Sequence, residues 1–199
     1  MALDLADRLL TIAVTATLTT AAWIVVGSEL VRVEQGEAVS RTAARTTPEP
    51  AAPQATGPLL VPVAGITVAQ LGDTFDDLRG QRRHEALDIA APAGSRVVAA
   101  AAGRIEKLFV SEDGGNTVYV RSADRRRVYY YAHLADYAPG LREGMQVERG
   151  QPLGTVGSTG NADPASPHLH FAIKRVTDDA QWWQPGVAVN PYPLLLAFY

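Results

Sequence analysis

Beyond Leu59 the apolar residues come in short runs separated by glycine, and no stretch keeps a helical period. Val97–Ala101, Thr117–Val120 and Arg127–Ala132 read as strands, with turns expected at Gly94, Gly103, Gly114-Gly115, Gly140 and Gly144. The segment after Pro167, His-Leu-His-Phe-Ala-Ile-Lys, alternates as a strand does. A mainly β domain over residues 59–199 is the expectation.

The first third of the chain has a different texture. Leu9 to Ser28 carries no charge and is bounded by Arg8 and Glu29. Its length suits the roughly 20 helical residues that cross a hydrocarbon layer of about 30 Å. Five threonines dilute it, and Thr20-Ala21-Ala22 resembles a signal-peptide cleavage site. The run continues through Val25 and Val26, however, and Asp4 and Asp7 oppose Arg8, so an uncleaved anchor is expected over residues 1–39. Arg8 and Arg32 nearly cancel, and the positive-inside rule gives no orientation. Ser40 to Pro58 holds four prolines and hardly any large apolar residue, which makes residues 40–58 a semi-extended tether.

Composition matters at two points. A net charge of −3 without a like-charge run excludes the basic footprint of a nucleic-acid binder. The absence of cysteine removes disulfides, thiolate metal sites and cysteine nucleophiles together. A metal site here must be built from His, Asp or Glu, and there are four histidines: His84, His133, His168 and His170.

His168 and His170 stand two apart on one strand face, about 7 Å apart along the strand. One can bind a metal while the other stands beside it; by itself the pair also describes two surface histidines. His84 and Asp88 bracket His-Glu-Ala-Leu-Asp, which would share a helix face at this spacing. Ala91-Pro92 and Gly94 follow at once and forbid a useful helix. A straight strand would separate the two by about 13 Å, so the chain must bend if both are ligands. Without a helix to aim it, Glu85 is a poor general base, and Arg-Arg-His-Glu-Ala-Leu-Asp in isolation reads as a solvated turn. Together, two histidines and a carboxylate make a three-ligand catalytic zinc site with one position open to water. The two remaining histidines then supply a base and an oxyanion partner.

Five segments, in order, resemble the lysostaphin/LytM-type (M23) zinc metallopeptidases: HEALDIAAPAGSRVVAAAAGRI, GGNTVYV, YYAHL, GMQVERGQPLGTVGSTG and SPHLHFAI, within residues 72–174. The resemblance implies an antiparallel sheet or barrel-like domain of the duplicated hybrid motif. It implies Zn2+ on His84, Asp88 and His170, with His133 and His168 assisting catalysis, and hydrolysis of peptide bonds in peptidoglycan. The chain departs from the family at two places. Ala86 stands where glycine is usual, which would strain a bend of positive φ there. No tyrosine precedes Tyr119, which leaves His133 as the expected oxyanion donor.

The same resemblance offers an alternative, because some M23-like domains have lost their ligands and act as scaffolds or activators of other cell-wall hydrolases. Here every ligand position is filled. GMQVERGQPLGTVGSTG also resembles the hairpin of lipoyl and biotin carriers, but the only lysines are Lys107 and Lys174, outside it. Trp182-Trp183 reads as packing. Since peptidoglycan lies outside the cytoplasmic membrane, a single-pass N-in anchor with the β domain facing the periplasm or wall is expected. No protein partner can be read from the sequence.

Overall fold

The computed structural model describes residues 59–197. Among these no helix is long and apolar enough to cross a membrane. The expected anchor over 1–39 and tether over 40–58 lie outside the described residues.

Eleven strands form: β1 (Leu78–Arg79), β2 (Arg82–Arg83), β3 (Leu87–Ala90), β4 (Arg96–Val98), β5 (Gly103–Ser111), β6 (Gly115–Ser122), β7 (Arg127–Tyr137), β8 (Gln146–Val147), β9 (Pro152–Val156), β10 (His168–Arg175) and β11 (Val187–Val189). The described helices are a 3-10 turn at Val68–Gln70 and α1 (Pro191–Leu196), which Asn190 caps through the Tyr192 amide. β1 and β2 pair as a separate hairpin, and the other nine strands make one antiparallel sheet with a spine β11-β10-β7-β6-β5-β8.

The sheet does not close, so the barrel-like expectation is corrected to an open, branched sheet. The reason lies in β7. Its first part pairs with β6 and β10, and beyond a register shift against β6 it pairs with β9 through Leu134 and Tyr137. β9 in turn carries β4, so the sheet branches at this point instead of closing.

β10 organises the site. Its N-terminal half pairs with β3 and its C-terminal half with β11, both along one edge, while β7 lies along the other. Leu169, Phe171 and Ile173 point into the core and are fully buried, so His168 and His170 face the other way. On β3, Leu87 and Ile89 are buried and Asp88 shares the outer face. Each such buried side chain contributes about 1.5–3 kcal/mol. A slip of one residue would exchange the core set for the histidines, which fixes the register firmly. The core continues through Tyr131, Leu134, Leu153, Val156, Ile105 and Leu195. The Tyr131 hydroxyl is satisfied by the Ala100 amide at 2.9 Å.

Two expected features differ in detail. The run Val97–Ala101 leaves the strand after Val98, and Ala99–Ala101 stay buried as irregular chain. Gly103 opens β5 rather than making a turn; a Cβ there would overlap the Arg121 carbonyl across the β5–β6 pair. Arg121 itself is buried and bound to Glu106 through two contacts of 2.6 Å, and it donates to the Ala180 carbonyl at 2.8 Å. That holds the segment bearing Trp182 against β6. Trp182 packs on Phe109 and Tyr119, as expected of packing, whereas Trp183 is exposed.

Candidate metal centre and active-site groove

His84 follows the β1–β2 hairpin, and its amide bonds the Asp77 carbonyl while the Glu85 amide bonds the Phe75 carbonyl. The required bend then falls at Glu85, which adopts φ +55°. Ala86 does not take positive φ and is fully buried, so the strain expected at Ala86 is absent and sits one residue earlier. This bend, and not a helix, returns Asp88 to His84.

The result is a compact group. His84 Nε2 lies 3.0 Å from Asp88 Oδ1 and 3.0 Å from His170 Nδ1, and His170 Nδ1 lies 3.2 Å from Asp88 Oδ1. His170 and Asp88 are directly opposed across β10 and β3. His84, Asp88 and His170 therefore form a group that could hold a metal ion. Four ligands about 2.0–2.1 Å from a tetrahedral ion stand about 3.3–3.4 Å apart, close to these separations. The donor chemistry fits as well. The Thr74 carbonyl accepts from His84 Nδ1 at 2.9 Å, which leaves the Nε2 lone pair aimed at the group. Thr74 Oγ1 accepts from the Asp88 amide at 2.9 Å, and Arg79 Nη2 donates to Asp88 Oδ2 at 2.8 Å, so only Oδ1 faces inward.

The charges respond to this convergence. Burial favours neutral His84, but the Asp88 hydrogen bond and the Thr74 carbonyl outweigh it and raise its pKa. Burial would likewise raise the Asp88 pKa, yet hydrogen bonds from His170 and His84 hold the carboxyl well below the usual carboxylate range.

His168 and His133 flank the group. His168 Nε2 is 3.8 Å from Asp88 Oδ1, outside the tighter triangle, and its ring centroid is 5.0 Å from that of His133. His133 is a non-glycine residue at φ +60°, at the irregularity where β7 changes partner. Such local strain is characteristic of functional positions. Its Nδ1 donates to the Thr159 carbonyl at 2.8 Å, and His168 Nδ1 donates to the Ser166 carbonyl at 2.8 Å. Since a carbonyl only accepts, both rings carry their proton on Nδ1 and present Nε2 as an acceptor. Burial lowers the His133 pKa against the opposing Thr159 contact, which keeps this ring neutral near pH 7.

The Thr159 contact depends on a close approach of two loops. Gly160 takes φ +75° and packs against the Asp113–Gly115 backbone, and Thr159 Oγ1 accepts from the Asn116 amide at 3.0 Å. GMQVERGQPLGTVGSTG thus supplies β8, β9 and this loop, the supporting role expected of it.

All five histidine and aspartate positions singled out from sequence line one groove of about 800 Å3. Sequence reasoning missed other lining residues: Arg79 and Arg82 from the hairpin, Tyr130 from β7, and Asp113, Asn161 and Asp163 from loops. Tyr130 packs edge-on to His170 with ring centroids 5.9 Å apart. Burial, and then Tyr119, push its pKa up, so it remains a neutral hydroxyl. The tyrosine of this groove arrives from β7, after the first ligand position instead of before it.

An open antiparallel sheet thus carries a His–Asp–His group that could hold a metal ion, with two imidazoles beside it. Residues 82–191 match Peptidase family M23, and the chain belongs to that family. It is 33% identical over 133 residues to the L-Ala–D-Glu endopeptidase of Bacillus subtilis, covering 63% of this chain and 39% of that protein. It is 31% identical over 134 residues to the murein hydrolase activator EnvC of Escherichia coli, covering 67% of this chain and 28% of that one. The fold is similar to the catalytic domain of the antimicrobial peptidase lysostaphin from Staphylococcus simulans, with a TM-score of 0.53 and 26% identity, covering 65% of this chain and 95% of that domain. The chain spans less than half the length of these two curated relatives.

Proposed function

We propose that the chain is a zinc-dependent endopeptidase that hydrolyses peptide bonds of bacterial peptidoglycan. The observation that carries this reading is the 3.0–3.2 Å triangle of His84 Nε2, Asp88 Oδ1 and His170 Nδ1, open to a groove that also holds His133 and His168. Membership of a peptidase family and the similarity to an endopeptidase support it.

His84, Asp88 and His170 would hold the zinc. When bound, zinc supplies Lewis acidity that brings water into the range of nucleophiles at neutral pH. The remaining chemistry belongs to the protein. His133 and His168, each with Nδ1–H tied to a carbonyl, offer Nε2 lone pairs to take a proton from the attacking water. The ring that accepts it becomes an imidazolium and returns the proton to the departing amine nitrogen. The depressed pKa of His133 favours that return. The Tyr130 hydroxyl is a neutral donor on the same groove for developing negative charge.

The similarity to EnvC favours a second reading, a scaffold that activates other hydrolases. Completeness of the donor set separates the two, because a scaffold needs none of it. Incubating the purified full chain with peptidoglycan tests both. Release of peptide ends, abolished by a chelator and restored by zinc, supports the peptidase; stimulation of a partner hydrolase with no intrinsic release supports the scaffold. We also place the domain outside the cytoplasmic membrane, on an anchor at Leu9–Ser28 and a tether reaching about 60 Å when extended.

A further inference from the structure

Three arginines of the β1–β2 hairpin, Arg79, Arg82 and Arg83, line the groove, and their situations differ. Arg79 is held by Asp88 Oδ2, and Arg83 by Asp76. Arg82 lines the groove and, among the described residues, has no hydrogen-bond or ion-pair partner. Register sharpens the contrast. Arg79 and Arg82 are directly opposed on the antiparallel hairpin, so their side chains project from the same face. Arg79 points from that face to the metal group, and Arg82 therefore stands on the side of the reacting centre. Directly opposed like charges on adjacent strands are destabilising, so Arg82 gives nothing to the hairpin itself. The hairpin is nevertheless positioned, because the His84 and Glu85 amides bond the Asp77 and Phe75 carbonyls at 2.8 and 2.9 Å.

We propose that Arg82 is a carboxylate-binding subsite, which selects peptides bearing an acidic group beside the bond to be cut. A guanidinium fork matches a carboxylate through two parallel hydrogen bonds, and the cost of opposing Arg79 falls when the anion arrives. Asp113 and Asp163 line the same groove and repel an anion, which confines the favourable carboxylate position to the arginines. The inference rests on the peptidase reading and names the substrate chemistry within it.

The test uses two matched stem-type peptides, one with every carboxylate free and one fully amidated. Their binding to the metal-stripped full chain is measured, so that neither is consumed. The free acid should bind about five- to tenfold more tightly. Arg82→Gln should remove that preference and leave the dissociation constant of the amidated peptide unchanged, and Arg82→Lys, which keeps charge without the fork, should fall between. Equal affinity for the two peptides, failure to bind either, or a preference that survives in Arg82→Gln would overturn the proposal. Failure of the zinc-loaded wild type to cut either peptide would count against the peptidase reading alone, since the binding preference is measured without catalysis.

Discussion

Replacing Gly160 with alanine probes how the active-site face is held together. Gly160 sits at φ +75°, where a Cβ costs about 1 kcal/mol relative to glycine. The added carbon would also overlap Gly115 N and the Asp113 carbonyl and lie 2.8 Å from Gly114 C. All three are backbone atoms and cannot swing aside as a side-chain tip would. Overpacking of this kind costs about 1–3 kcal/mol, so the loop as seen is penalised by about 2–4 kcal/mol in total. The cheaper outcome is for residues 159–161 to move out. Thr159 then leaves His133, whose Nδ1 loses its carbonyl at 2.8 Å, and the ring is no longer fixed in tautomer or direction. A displacement near 1 Å at a reacting group costs on the order of 100-fold in rate. The metal group is built on β3, β10 and the segment between β2 and β3, and should be untouched. Gly160→Ala is thus expected to keep its zinc and lose about 100-fold in peptide release, measured per zinc. In a His133→Ala background the same change should cost almost nothing further, because its target is gone. Wild-type turnover in Gly160→Ala, or losses that multiply in the double variant, would refute this reasoning.

The other expectations concern separate parts of the molecule. His168→Ala should keep most of its zinc and lose about two to four orders of magnitude in turnover, and zinc loss on elemental analysis would show the paired histidines to be reversed. Zinc and protons compete for His84, whose pKa is raised, so affinity is full above that pKa and falls by up to about tenfold per pH unit below it, with protons released on binding; calorimetry in buffers of different ionisation enthalpy counts them. In the chelated protein the sign reverses: His84 adds stability that is full below the ordinary imidazole pKa and is lost as pH rises through its own, which pH-dependent denaturant melts should detect. Fractionated cells should hold the chain in the membrane with an intact N-terminus, and a soluble form beginning near Trp23 would identify a cleaved signal peptide instead.

Much of this site was legible in the sequence because its chemistry lies in short, patterned segments. Strand alternation put His168 and His170 on one face, and Pro92 with Gly94 ruled out a helix at His84–Asp88. What stayed hidden depends on contacts between distant segments. Arg-Arg-His-Glu-Ala-Leu-Asp in isolation reads as a solvated turn, and only the hairpin shows Arg79 reaching Asp88 with Arg82 beside it. Glycine is usual at the position of Ala86, which points to a bend there, but Glu85 takes the positive φ. Tyr130 sits within a run of three tyrosines, and nothing local says that Tyr131 enters the core while Tyr130 faces the groove. Closure of the sheet was equally unreadable, since it turns on β7 changing partners near His133.

Zinc content and peptide release, measured on the same preparations of wild type and His170→Ala, bear on the whole reading at once. The wild type should carry one zinc per chain and release peptide ends from peptidoglycan, and His170→Ala, folded by circular dichroism, should do neither. Full zinc occupancy in His170→Ala, or undiminished release by a metal-free wild type, would contradict it.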